Sequence, residues 1–382
     1  MRKSFLVLFF KKEHLAGGSK NLEASRMRAS LLLPLIALAL PLAAADEAPQ
    51  PLCVSLTGPA KDMARKVFLK PYAQATGTEL GEAGWDGSLD GLRKLVASHG
   101  ADLLLLDGPM LVAACRAQLL DRIDWQGLGR DRFLPQAASD CGAGAYLAST
   151  VLAWDREKLP FWPGWPDFWD VTKHPGRRGL HRGARGNLEI ALMADGVAIG
   201  DVYRTLRTPD GLDRAFRKLD QLKPYIVWWD QPGQPAQLLA AGKVLLTSAP
   251  SASLPMASLP GAVASGSMAA SRPTVSSHAI GVQWAGGLVE AESWAAVHTP
   301  AHPHAAQAAL IIATDPAREA EFARATGFGP STTAAVSLLP AASRAQNPSA
   351  PNNLQSGLPI DEGFWAENGD RLEARFAAWA GK

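Results

Sequence analysis

Apolar positions along this chain recur with two different periods, and their alternation predicts an α/β fold. Leu52–Leu56 reads as a short strand. Pro59 then opens a helical pattern with Met63, Val67 and Tyr72 on one side and Gly77 as its stop. Leu89, Leu92, Leu95 and Val96 repeat at helical spacing within residues 87–98, and Gly100 ends that run. Residues 101–106 read as a strand, apolar at every position but Asp102 and closed by Asp107-Gly108-Pro109, after which a helix runs through Cys115. A continuous apolar strand between two helices marks a sheet covered on both faces and largely parallel.

A second unit of the same kind follows. Tyr146 to Trp154 is apolar, and Pro160, Trp162, Pro163, Trp165, Pro166, Phe168 and Trp169 then crowd into ten positions, read as a turn-rich crossing between lobes. Thr208 caps a helix with Pro209 at its first position, and Leu212, Ala215, Phe216, Leu219 and Leu222 form its apolar face. Residues 226–229 and 244–247 read as strands around a short helix at 236–241. Residues 248–277, rich in Ala, Ser, Pro and Gly, are the least ordered-looking stretch. Helices follow at 304–312 and 316–325, and an amphipathic helix with Trp365, Leu372, Phe376 and Trp379 closes the chain. No repeat is visible.

The N-terminus changes the charge balance. Leu31 to Leu42 is an uncharged apolar run, preceded by Arg26 and Arg28 and followed by Ala43-Ala44-Ala45. That is the layout of a signal peptide cleaved near Ala45, and the run is too short to span a bilayer. Met27 is either the true start or the middle of a long leader. The chain of 382 residues carries 38 Lys/Arg and 36 Asp/Glu. Without residues 1–45, which hold seven of the bases and two of the acids, 31 bases face 34 acids. The mature chain is near neutral, which excludes a nucleic-acid binder and a polybasic membrane anchor. Export permits disulfides. Cys115 and Cys141 enclose a short loop with a chain reversal and are expected to pair, leaving Cys53 as a buried free thiol.

The sequence carries few reactive motifs. Neither G-x-S-x-G nor G-x-x-x-x-G-K-[ST] occurs, and prolines separate His298, His302 and His304 so that no helical metal pair forms. No catalytic residue, metal or cofactor is expected.

The segment from Arg185-Gly186-Asn187-Leu188-Glu189 to Val197, together with Asp213-Arg214-Ala215-Phe216 to Lys223-Pro224, resembles the second lobe of extracellular solute-binding proteins. Asp140-Cys141-Gly142 and the run from Gln237 to Lys243 fit the same family, in its spermidine/putrescine branch. The resemblance implies a two-lobed periplasmic binding protein of type II with a hinge and an interlobe cleft. It implies a monomeric periplasmic receptor that serves an inner-membrane ABC permease. One lobe takes residues 46–155 plus about 285–335, and the other takes about 156–284 plus parts of the C-terminal region. Residues 336–382 form a closing loop and helix. A secreted enzyme on the same fold, and a receptor with a degenerate pocket, are the rival readings.

Receptors of the polyamine branch meet ammonium groups with carboxylates and sandwich the methylene chain between aromatic rings. Here the positions matching one carboxylate pair are Arg182 and Gly186, and only Glu290 and Glu292 can supply the third acid. The site therefore loses an acid and gains an arginine, which favours a zwitterionic or anionic nitrogenous solute over spermidine. By their places at strand ends, the candidate contacts are Ser55, Thr57, Gly58, Trp85, Asp86, Asp107, Gly108, Arg182, Arg185, Trp229, Asp230, Glu292 and Trp294. Trp228 and Trp229 alternate faces, so one at most reaches the cleft. Asp107 serves equally as a helix cap. Residues 173–185, with five Lys/Arg, two His and no acid, read as a solvated face rather than an anion site.

Overall fold

The computed structural model describes residues 51–254 and 280–381. The leader at 1–45, with Met27, and the part of the 248–277 expectation beyond residue 254 lie outside the described residues. Strands β1 (Leu52–Leu56), β2 (Leu80–Glu82) and β3 (Leu103–Leu106) form a parallel set with β1 in the middle. All four leucines of β3 are buried, and the period of two explains why. Leu103 and Leu105 join a core with Phe68 and Trp294 on one face, while Leu104 and Leu106 join a smaller cluster with Leu92 and Leu111 on the other.

Two long strands connect this set to the rest of the sheet. β4 (Ala143–Asp155) and β8 (Ile280–Ala296) run antiparallel to each other, with register shifts at Gly144/Tyr146 and Thr150/Leu152. β8 pairs with β3 at its C-terminal end, and β4 pairs with β7 (Leu246–Pro250) at its own C-terminal end. β5 (Arg178–His181) lies parallel between β7 and β6 (Ile226–Trp229). The sheet is parallel within each lobe, as expected, and antiparallel along the connecting strands, which the apolar runs alone did not distinguish. β9 (Leu358–Pro359) adds to β8.

Around β5–β7 the second core gathers Leu188, Leu192, Leu212, Leu219, Phe364 and Phe376. The Pro/Trp-rich segment belongs to this core and is not a crossing between lobes. Trp165, Phe168 and Trp169 are buried in it, and Trp165 Nε1 donates to Gly286 O at 2.8 Å. The crossing is made by β4 and β8, because long strands carry the backbone between lobes without leaving its polar groups unpaired.

The basic run at 173–185 is likewise no uniform solvated face. Arg178 has no exposed surface and donates to the carbonyls of Phe168 (2.6 Å), Gly176 (2.8 Å), His174 (2.7 Å) and Asp170 (3.4 Å). Burial lowers its pKa to about 10 against the opposing effect of Asp170. Ser248, Ser251 and Leu254 are buried, so the described start of the Ala/Ser-rich stretch is ordered. Cys115 and Cys141 are disulfide-bonded, and Cys53 is a half-buried free thiol. The C-terminal helix Glu362–Ala380 buries Phe364, Trp365, Leu372 and Phe376 against the second core.

Candidate functional site

A cavity of about 640 Å³ opens where the two parallel sets approach each other across β4 and β8. The first set contributes the turn after β1. Gly58 there has φ +83°, and a Cβ on it would stand 3.2 Å from Tyr146 Oη. Thr57 Oγ1 donates to Leu105 O at 2.6 Å, so its hydroxyl braces the turn against β3. Asp107 both lines the cavity and accepts from Met110 N at 3.0 Å, serving as helix cap and wall residue at once. Tyr146 on β4 and Glu292 on β8 are cross-strand partners, and Glu290 lies two residues from Glu292 on the same strand.

The second set contributes His181, Arg185, Trp229, Asp230 and Ser248. Strand alternation sends Trp229 to the cavity and Trp228 against Phe376 and Trp379 of the terminal helix. His181 packs on Trp229 with ring centroids 4.8 Å apart. Lost hydration lowers its pKa despite Glu373 and Asp230 nearby, which favours the neutral ring. The Arg185 guanidinium lies 3.6 Å from Glu290 and 3.9 Å from Asp107, distances of ion pairs without tight hydrogen bonds.

Carboxylates outnumber cations here. Burial raises the Glu292 pKa to about 8, with Asp107 and Glu290 adding to the effect and Arg185 opposing it. Glu362, at the start of the terminal helix, rises to about 9 through burial and Glu290, with Arg185 again opposing and Asp107 and Glu292 adding. Burial alone lowers Arg185, yet Glu290, Asp107, Glu362 and Glu292 together hold it above its ordinary value. Four covered polar atoms in the wall lack a hydrogen-bond partner among the described residues: Tyr146 Oη, Glu292 Oε2, Trp229 Nε1 and Ser248 Oγ. Native interiors rarely leave such atoms unmet; these four share one cavity wall, and seven others lie elsewhere among the described residues.

Thr57, Gly58, Asp107, Arg185, Trp229, Asp230 and Glu292 thus come together in the cavity wall. Six expected contacts lie elsewhere. Ser55 is buried within β1, and Trp294 is in the first core, edge-on to Phe68 at 5.8 Å. Trp85 packs on the cluster around Leu92, while exposed Asp86 accepts from Ser88 N and Oγ. Gly108 is covered by the Glu362 carboxyl, whose Cδ would meet an added Cβ at 2.0 Å. Arg182 turns outward, 3.3 Å from Asp230 and stacked over Trp228 at 5.7 Å. Arg182 and Gly186 bring no acid to the cavity; the arginine in its wall is Arg185, beside Asp107 and Glu290. Tyr146, His181, Ser248 and Glu373 line the cavity without having been expected. Only Glu290, two residues from Glu292 on one strand face, carried a local signal.

Of the three His residues near 300, His298 meets Asp121 at 2.8 Å, His302 meets Asp102 at 3.1 Å and His304 is exposed. No helix of the described residues is long and apolar enough to cross a membrane.

Comparison with known proteins gives a consistent picture. The gamma-aminobutyric acid-binding protein of Pseudomonas aeruginosa is 33% identical over 354 residues, covering 92% of this chain and 96% of that protein. A solved GABA receptor superposes with a TM-score of 0.73 at 25% identity, over 86% of this chain and 97% of that one. The spermidine/putrescine-binding protein of Streptococcus pneumoniae shares the fold, with a TM-score of 0.65 at 15% identity over 87% of this chain and 99% of that one. The fold is the two-lobed α/β fold of type II periplasmic binding proteins. The model for bacterial extracellular solute-binding proteins matches residues 68–352, and the chain belongs to that family.

Proposed function

We propose that this protein is an exported receptor of an ABC importer that binds a small zwitterionic solute of the γ-aminobutyrate type between its lobes. The observation that carries the reading is the pairing of two kinds of group in one cavity. Among the described residues, Tyr146 Oη and Glu292 Oε2 are covered and unpartnered beside the Gly58 turn, and Arg185 stands in the same cavity with only long ion pairs. The first pair suits an ammonium group, and the guanidinium suits a carboxylate. Trp229 Nε1 and Ser248 Oγ add neutral hydrogen-bonding groups from the second lobe, and the Trp229 ring gives the methylene chain an apolar wall. A solute held at both ends ties the lobes together, and closure is the signal a permease can read. The lobe limits given by the sequence are part of this proposal.

The acid surplus favours a second reading, a diamine receptor. Asp107, Glu290, Glu292 and Glu362 face a single arginine; burial keeps Glu292 and Glu362 largely protonated near neutral pH, and two ammonium groups would favour ionising more of these acids than one. A thermal-shift panel separates the two. γ-Aminobutyrate, β-alanine and 5-aminovalerate raising Tm while putrescine does not supports the zwitterion, and the reverse order supports the diamine.

A further inference from the structure

Three consecutive backbone N–H groups at the loop carrying Arg185 are each met by a carboxylate of the protein itself. Glu373 Oε2 accepts from Ala184 N at 2.9 Å, and Glu373 Oε1 accepts from Arg185 N at 3.1 Å. Glu189 Oε2 accepts from Gly186 N at 2.9 Å. Gly186 has φ +89°, a conformation that turns successive N–H groups toward one side, and such groups attract anions. Left free, they would compete with the guanidinium for the carboxylate of a solute.

Glu373 arrives from the opposite end of the sequence. Its helix is anchored by Phe364, Leu372 and Phe376, and by Trp365 Nε1 donating to Glu189 Oε1 at 2.7 Å. Tyr203 Oη donates to the same oxygen at 2.8 Å. The loop is thereby gripped by two carboxylates whose own supports are rigid.

We infer that Glu373 is a positioning residue for solute recognition. By clamping the N–H groups of Ala184 and Arg185, it aims the guanidinium between Asp107 and Glu290 and withholds the backbone from the solute. The inference rests on the reading above that the solute carries a carboxylate.

The test is Glu373→Gln, which keeps one acceptor oxygen and sets an NH₂ group against one of the two N–H groups. Calorimetry compares γ-aminobutyrate with 4-aminobutanamide, which lacks the negative charge, and hydrogen exchange follows residues 182–188. The clamp predicts faster exchange at 182–188, about tenfold weaker binding of γ-aminobutyrate and unchanged binding of the amide, at a nearly unchanged Tm. Parallel losses for both compounds with a lowered Tm would reduce Glu373 to a fold-stabilising cap. Unchanged exchange, or faster exchange with the preference for γ-aminobutyrate intact, also overturns the inference. Should the wild-type protein bind neither compound, the zwitterion reading fails and the recognition role falls with it, whereas in a binding-competent protein the absence of a selective γ-aminobutyrate loss in the variant overturns only the role of Glu373.

Discussion

The Tyr146 hydroxyl and the Glu292 carboxylate converge on one glycine. A Cβ on Gly58 would stand 3.2 Å from Tyr146 Oη and 3.6 Å from both carboxylate oxygens, and the two side chains come from directly paired positions of β4 and β8. One substitution at Gly58 therefore probes both groups. Gly58→Ala is strained at φ +83°, at a cost of about 1–2 kcal/mol, and its methyl group intrudes on the pair. The expected outcome is a lowered Tm together with a loss of solute affinity larger than the stability change accounts for, read by calorimetry.

The pH dependence of stability follows from the raised carboxyl groups. Glu292 and Glu362 rise to about 8 and about 9 in the folded chain from an ordinary value of 4.5. Above that ordinary value the folded state holds more protons than the unfolded one, so stability falls as pH rises toward 8–9. Below it, both states are protonated and the full contribution is present. Glu292→Gln is expected to flatten the decline of Tm between pH 5 and 8, measured across buffers at constant ionic strength. An ammonium group beside Glu292 favours its ionised form, so solute binding releases a proton and tightens as pH rises from 6 to 8.

Arg178 binds four backbone carbonyls with no exposed surface of its own. Arg178→Met leaves those carbonyls in the core without their donor, and the cost is at least about 3 kcal/mol. Urea unfolding is expected to show a lower midpoint with an unchanged slope.

The Cys115–Cys141 bridge closes a separation of 26 residues. Chain-entropy arguments place its contribution near about 3.5 kcal/mol, so a double serine variant unfolds at lower urea and wild-type protein loses the same increment under reductant.

Local pattern carried much of the fold. Leu103–Leu106, the Thr208–Pro209 helix start and the apolar face from Leu212 to Leu222 are periodic signals, and each became the expected element. The alternation rule also separated Trp229 from Trp228. What local pattern does not carry is contact between distant segments. Glu373 reaches the Arg185 loop and Glu362 reaches Gly108 only because of where the fold carries the terminal helix, and nothing near Arg185 or Gly108 in sequence announces them. Arg182 and Arg185 are indistinguishable by spacing, and only Asp230 and Trp228 draw the first one outward. Arg178 looked solvated because charge is counted along the chain, whereas carbonyl acceptors are gathered by the fold. The same limit explains Trp294, a strand residue whose inward face meets Phe68 rather than the cavity.

Calorimetry of the wild-type protein against γ-aminobutyrate, butylamine, butyrate and putrescine separates a solute held at both ends from one held by its amine alone. One molecule of γ-aminobutyrate is expected to bind per chain, with butylamine and butyrate each weaker by at least about tenfold, because each lacks one charged contact. Putrescine or butylamine binding as tightly as γ-aminobutyrate would contradict it, since Arg185 would then hold no part of the solute.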